Sequence, residues 1–432
     1  MCEARSRLSC LVIAISGLLA TATGDEPPDR GQPWRRHTID DSARGADGVR
    51  LADVNGDGHL DIATGWEEAG LVRLYLNPGP AKAKERWPAV TVGEVKSPED
   101  AVAVDLDGDG NFDVVSCCEG NTRSVFVHWG QSRALAPRVP MSTRGASGPH
   151  WETEPFPALA GQRLAMYCLP MQIDGEHGID LVIGSKGKDA DVGWLRSPKN
   201  PRDLPSWTWH PLTKAGWIMS LVARDMDGDG DEDVLVSDRK GANRGVYWLE
   251  RPEPKDVTGA WKRHDVPGIE GEVMFLDVGQ VSNLSQKDSG HVENLPHEII
   301  VPTYDKRLWL ARSTGDGGVR WDVKLLPYPD AVGKGKSAAF ADLDLDGKRD
   351  IVLSTENYEG TSGLVWLSVK AVSGQVENLS YDVHEISGTA GPKGLKFDRL
   401  ELIDLDGDGD LDVLTTEERT GWGVVWFENP AK

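Results

Sequence analysis

The chain has 432 residues, a formal net charge of −22 and only 7% aromatic residues. So acidic a surface repels phosphates and argues against general nucleic-acid binding. Beyond the N-terminus no run of 18 apolar residues occurs, so no membrane span is expected. Of the five cysteines only Cys117, Cys118 and Cys168 lie past the first ten residues, too few for a disulfide framework.

Met1–Ala22 reads as a cleaved secretory signal, with an uncleaved anchor as the alternative. Arg5 and Arg7 give a positive start, Leu11–Ala20 is the apolar core, and Ala20-Thr21-Ala22 suits cleavage. Residues 23–33 form a short polar linker. The expected location is therefore secreted, periplasmic or cell-surface.

From Trp34 onward one unit returns seven times, and so long an internal period decides the fold before any local reading. Each unit opens on a Trp or Tyr strand: WRRHTI (34–39), WPAVTV (87–92), WETEPF (151–156), WTWHPL (207–212), WKRHDV (261–266), WDVKLL (321–326) and YDVHEI (381–386). A strand such as GVRLADV (48–54) leads into an aspartate-rich loop, a β-type run such as DIATG leaves it, and a third strand such as LVRLYLN (71–77) or GVVWFEN (423–429) follows a polar turn. Alternating apolar and β-branched positions support strands, and no helical period is sustained. Four short strands per repeat of this length predict an all-β, seven-bladed β-propeller over residues 34–430. The last unit supplies only three strands. Trp34–Ile39 is therefore expected to complete the last blade, closing the ring and covering a sheet edge.

The loops name their own chemistry. Five carry an acidic residue or amide at positions 1, 3, 5 and 9. These are Asp53, Asn55, Asp57 and Asp61; Asp105, Asp107, Asp109 and Asp113; Asp225, Asp227, Asp229 and Asp233; Asp342, Asp344, Asp346 and Asp350; and Asp404, Asp406, Asp408 and Asp412. Oxygens at this spacing, with a Gly turn and the carbonyl of position 7, converge on a hard cation, Ca²⁺ before Mg²⁺. An EF-hand would need Glu at position 12, where Thr64, Ser116, Val236, Leu353 and Thr415 stand instead. A loop without an ion would crowd its carboxylates at a cost. Bound ions also account for much of the acidity. A sixth, weaker candidate is Asp174, Glu176 and Asp180. The seventh copy, beginning at Asp277, is interrupted by Val278–His297, read as a surface insertion where no ion is expected.

These loops and strands resemble the FG-GAP/VCBS repeat family, whose calcium loops also occur in the propeller of integrin α chains. The resemblance covers about residues 33–430, although the literal Phe-Gly and Gly-Ala-Pro signatures are absent. It implies a propeller with Ca²⁺ between the first two strands of each blade. It does not imply one activity, since the family spans adhesion receptors, lectin-like proteins and the propeller domains of lyases and dehydratases.

Other residues are weighed against structural roles. His37, His210, His264 and His384 recur at one repeat position and read as architecture, as do most of the 16 Trp. Trp66, Trp217 and Trp422 fall off the Trp pattern and are expected in loops, available for surface contact. Cys117 and Cys118 form either a vicinal disulfide or two thiols, one buried and one in a turn; Cys168 reads as core. Asn283 and Asn378 match the glycosylation pattern. No serine-hydrolase elbow, zinc-protease helix or phosphate-binding glycine loop is present.

The turns after the second strands lie opposite the metal loops and are rich in charge. Glu119, Arg123, Lys186, Arg239, Lys240 and Glu356 are the candidates for ligand contact, because loops on a rigid scaffold are where function concentrates. The favoured function is a binding module for an extracellular polysaccharide or protein. The alternative is a lyase or dehydratase acting on a sugar or sugar acid, which would draw two or three of these residues around one pocket with altered ionisation. A purely structural protein would show no pocket.

Overall fold

The computed structural model describes residues 31–131, 150–280, 296–314, 319–370, 380–389 and 395–432. The signal segment, the two glycosylation-pattern asparagines and most of the Val278–His297 segment lie outside them. β1 (Arg35–Asp40) comes first in the chain. Blade 1 is β2 (Ala46–Ala52), β3 (Asp61–Trp66), β4 (Leu71–Tyr75) and β5 (Ala89–Glu94). Blade 2 is β6 (Pro98–Val104), β7 (Asp113–Cys118), β8 (Ser124–Gln131) and β9 (His150–Pro155). Blade 3 is β10 (Leu164–Met171), β11 (Asp180–Lys186), β12 (Asp191–Arg196) and β13 (Thr208–Lys214). Blade 4 is β14 (Ile218–Arg224), β15 (Asp233–Asp238), β16 (Gly245–Glu250) and β17 (Lys262–Asp265). Blade 5 is β18 (Asp277–Gln280), β19 (His297–Pro302), β20 (Leu308–Ser313) and β21 (Trp321–Leu326). Blade 6 is β22 (Lys334–Ala341), β23 (Asp350–Tyr358), β24 (Leu364–Lys370) and β25 (Ser380–Glu385). Blade 7 is β26 (Leu395–Ile403), β27 (Asp412–Glu417), β28 (Gly423–Glu428) and, pairing with β28, β1.

Each blade is an antiparallel four-stranded sheet, and β23 also pairs with β26 to join blades 6 and 7. Second strands such as β3 and β15 are buried along their whole length, because sheets cover both of their faces. The core lies between blades rather than within them. Seven apolar clusters each bridge two successive sheets, and one of them packs Leu414, Val424 and Trp426 of blade 7 on Ala46, Ile62 and Trp66 of blade 1. The fold is therefore a closed β-propeller. β1 carries the closure: Arg35 stands opposite Glu428, His37 opposite Trp426, and Ile39 is buried in the cluster between blades 7 and 1.

The recurrent histidines prove to be cross-strand stacking partners. His37, His264 and His384 lie on the rings of Trp426, Trp248 and Trp366 at 4.4, 4.0 and 4.0 Å, and His210 tilts against Trp194 at 5.0 Å. Such pairs on one sheet face stabilise a blade by about 0.5–1.5 kcal/mol beyond burial.

Three expectations are corrected. Trp66 is not a surface residue. It ends β3, is fully buried, and donates its Nε1–H to Tyr75. Cys118 does not sit in a turn: Cys117 and Cys118 both end β7, and both are buried free thiols, like Cys168. The segment interrupting blade 5 is shorter than read, because Val278–Gln280 belongs to β18 and His297 opens β19, where the two strands pair.

Candidate functional site

The aspartate loops join the first and second strands of their blades, and each is wrapped by its own backbone. In the blade 4 loop, Asp225 accepts the N–H groups of Gly228 and Gly230 at 2.7 and 3.2 Å, Asp227 that of Asp229 at 3.2 Å, and Asp229 that of Asp231 at 3.0 Å. The same bonds recur at Asp53, Asp105 and Asp404. Position 4 needs a left-handed backbone, which Gly56, Gly108, Gly228 and Gly407 supply; in blade 6 Leu345 is forced into it at φ 60°. The wrapping turns carboxylate oxygens toward one another. Those of Asp105, Asp107 and Asp113, of Asp225, Asp227 and Asp229, and of Asp342, Asp344 and Asp350 come within 4.8 Å in each set. All donors are oxygens, as a hard cation requires.

The ninth aspartate is held by backbone N–H groups of its own. Asp233 accepts Met226 N–H at 3.0 Å and Arg251 N–H at 2.8 Å, tying the loop to the end of the third strand. Asp61, Asp113, Asp180 and Asp412 make the same two bonds. Burial pushes Asp113, Asp233 and Asp412 up to about 7 and Asp61 up to about 6, against the pull of these N–H donors.

The degenerate loop of blade 3 has taken another route. Arg196 reaches into it, 2.5 Å from Asp174 and 3.0 Å from Glu176, while Gln172 accepts Gly175 N–H in the place of the first aspartate. A guanidinium therefore already compensates part of the charge of this loop.

At the other end of the channel, four of the six candidate residues converge. Glu119, Lys186, Arg239 and Glu356 line one cavity of about 450 Å³, together with Asp47, Glu67, Glu99, Lys336 and Asp398. Arg123 and Lys240 do not line it. Arg123 donates to Gln162 O, and Lys240 stacks on Trp217, a residue that lines the cavity rather than an outer surface. Trp422 is also covered, by the Arg36 guanidinium at 3.7 Å. A smaller cavity of about 240 Å³ lies toward the loop face, and both share Tyr167, Phe275 and Arg399, which narrow the channel between them.

The strongest lining residues were missed in the sequence. In six blades the inner strand carries a β-bulge near its start, between Asp47 and Arg50, Pro98 and Asp100, Ala165 and Tyr167, Ile218 and Ser220, Gly335 and Ser337, and Phe397 and Leu400. A bulge re-aims a side chain out of the alternating order. Glu99, Met166, Met219, Lys336 and Asp398 thereby face the cavity. The signal was present as a position, six residues before each loop: Asp47, Glu99, Met166, Met219, Lys336 and Asp398. Six residues after each ninth aspartate stand Glu67, Glu119, Lys186, Arg239, Glu356 and Glu418. The two strands are antiparallel, so positions equally far from the loop meet at the far end.

Electrostatics in the mouth are tightly interlocked. Lys186 is ion-paired with Glu119, Arg239 with Glu272 at 2.8 Å, Lys336 with Asp398 at 3.1 Å and Lys396 with Glu418. Burial, then Asp398, Glu418 and Glu99, raises Asp47 well above the usual carboxylate range. Burial and Asp398 push Glu418 up to about 8. Burial works against the charge on Lys336, but Asp398 and Glu356 outweigh it and hold the ammonium high.

Residues 53–116, from the first loop to the second strand of blade 2, match the FG-GAP-like repeat. Over that stretch the chain is similar to an FG-GAP repeat. No curated protein matches this chain. Among solved structures it is similar to BBS1N, determined in complex with ARL6DN, at 11% identity and a TM-score of 0.51 over 92% of this chain and 97% of that one. At that identity the likeness speaks for the fold alone. Among the described residues no helix is long and apolar enough to cross a membrane.

Proposed function

We propose that this protein is a secreted, calcium-stabilised interaction module whose channel mouth binds a charged polysaccharide or protein segment. Ca²⁺ would sit on the five loops at Asp53, Asp105, Asp225, Asp342 and Asp404 and their partners, where it pins each strand-to-strand connection. The observation that carries the ligand reading is the convergence of Glu119, Lys186, Arg239 and Glu356 on one cavity. Carboxylates and cations both line it, several of them paired with each other, which suits recognition of a ligand bearing polar groups of both kinds. The test is calorimetric titration of the mature protein with acidic, neutral and basic polysaccharides and with charged peptides. Binding to one class that weakens at least tenfold in Arg239→Ala and in Glu356→Gln supports the reading; binding unaltered by both substitutions would overturn it.

The same convergence is one half of the condition set above for catalysis, and a lyase or dehydratase acting on a sugar or sugar acid is the second reading. It is favoured by Tyr167, whose hydroxyl meets the Arg399 guanidinium at the floor of the cavity, beside groups of altered ionisation. Turnover of an acidic polysaccharide that is lost in Tyr167→Phe while binding persists would establish it.

A further inference from the structure

Arg239 follows the last residue of β15 and lines the cavity, yet its side chain is nine-tenths buried. Its guanidinium stands over two aromatic rings, 4.7 Å from the centre of Trp217 and 4.4 Å from that of Tyr304. Both rings are fixed through their backbones. Asp238 accepts the N–H groups of Gly216 and Trp217 at 3.0 and 2.8 Å. Trp217 O accepts Arg239 N–H at 2.8 Å, and Glu272 O accepts Tyr304 N–H at 2.9 Å. The guanidinium itself makes one hydrogen bond within the protein, from Nε to Glu272 at 2.8 Å. Among the described residues no acceptor takes Nη1 or Nη2. These two nitrogens are the fork with which arginine grips a carboxylate. Stacking and the Nε bond already hold its plane, so little freedom is lost when a ligand takes it.

The surroundings of the fork are positive. Glu272 is shared with Lys240 at 3.8 Å. Lys334 stands over Tyr304 at 4.1 Å and forms no ion pair among the described residues. The lining that blades 3 to 5 give the cavity includes Lys186, Trp217, Arg239 and Tyr304 and no carboxylate. Blades 1 and 2 supply Glu67 and Glu99 instead. A ligand that fits both sides carries an anion for the fork and neutral donors for the carboxylates. We propose that the Arg239 fork grips the carboxylate of a uronic-acid residue, whose hydroxyls donate to Glu67 and Glu99 on the acidic side. This rests on the reading of the mouth as a ligand site and names the ligand class. At about 450 Å³ the cavity is of small-ligand size and suits the end of a sugar chain. A uronate ring sets one carboxylate beside several hydroxyls, whereas an acidic peptide offers one backbone N–H for each further carboxylate it brings.

The test is calorimetric titration of the mature protein with oligomers of galacturonate, glucuronate and mannuronate, each as free acid and as methyl ester. Esterification removes the carboxylate charge and keeps the hydroxyls. At least one oligomer is expected to bind about tenfold more tightly as the acid, the scale of a charged hydrogen-bond pair. Arg239→Lys keeps the charge and loses the fork, so the acid should weaken to the level of the ester while the ester binds as before. Equal affinity for acid and ester, a preference that survives Arg239→Lys, or no binding by any uronate would overturn the proposal. Binding of a neutral or basic ligand that weakens in Glu356→Gln would leave the broader reading of the mouth standing even then. Should Arg239→Lys fail to fold, Glu272→Gln keeps an acceptor for Nε and removes the competing charge. The preference for the acid should then widen about threefold, and an unchanged preference would overturn the proposal.

Discussion

In blade 4, Asp233 opens the second strand, clamps two backbone N–H groups, and belongs to a loop whose remaining aspartates face one point. Next door in blade 5, His297 takes the corresponding register position opposite Gln280, its N–H donated to Ser313 Oγ at 2.8 Å. The adjacent Glu298 is buried and locked by Arg312 and Arg349, the latter reaching over from blade 6. Both blades anchor the start of the second strand with a buried carboxylate. One gathers loop carboxylates that could hold a cation, whereas the other supplies guanidinium groups of its own. Blade 3 lies between the two, with Arg196 inside a loop that has kept part of its acidic pattern. The lesson is that the connection is tethered in each blade, and that side chains supply the compensating charge where the aspartate pattern is lost.

Removing residues 31–40 should have the largest effect and should be blind to this difference. It opens the ring, exposes the edge of β28 and strips Ile39 from the core, which alone costs about 2–5 kcal/mol. The melting temperature should fall steeply in Ca²⁺ and in EDTA alike; an unchanged value would refute closure by β1.

Within blade 4, Asp233→Ala leaves two buried N–H groups without acceptors and should cost about 2–4 kcal/mol whether or not chelator is present. Asp229→Ala removes only an exposed loop carboxylate. Its cost should appear in Ca²⁺, at about 1–3 kcal/mol depending on saturation, and largely vanish in EDTA. If both variants respond to chelator identically, the distinction between clamp and ligand fails. In blade 5, Glu298→Gln should cost about 1–3 kcal/mol irrespective of Ca²⁺, because it unpairs two arginines; urea melts with and without chelator would separate it from Asp229→Ala.

Blade 2 offers a probe that titrates without metal. His128 is fully buried between Ser116 Oγ at 2.9 Å and Thr153 Oγ1 at 2.8 Å, and Gly93 leaves room for its ring, since a Cβ there would stand 2.1 Å from Nδ1. Burial lowers its pKa from 6.5 to about 3. The folded state therefore stays neutral at pH values where the unfolded chain is protonated, and stability is lost as pH falls through that window. Between pH 7 and pH 5 this amounts to about 2 kcal/mol. In EDTA, His128→Gln should remove that much of the pH dependence, read as the difference between the two unfolding profiles.

The smallest effect concerns the loop backbone. Leu345→Gly relieves a left-handed residue and should stabilise blade 6 by about 0.5–1 kcal/mol. A loss instead would mean that the exposed Leu345 side chain contributes packing.

The repeat period, the strands, the aspartate loops and the strand that closes the ring were all legible in the sequence, because they depend on local spacing and on a pattern repeated seven times. The histidine positions were legible as architecture for the same reason. The channel mouth was only half legible. The turn positions Glu119, Lys186, Arg239 and Glu356 could be chosen for their charge, but Arg123 and Lys240, equally charged neighbours, point elsewhere. The bulged inner positions were not seen, because one extra residue in a strand changes which way a side chain faces without changing its composition.

Sequence alone thus determined the all-β repeat fold and the place of each loop between two strands, since both lie within a short stretch of chain. Tertiary structure decided which charges meet. Asp47, Glu99, Lys336 and Asp398 belong to four different blades, and only ring closure brings them to one cavity. It also decided that Arg196 fills the loop of blade 3 and that Trp66 is buried, because neutralisation and burial depend on neighbours that no local spacing specifies.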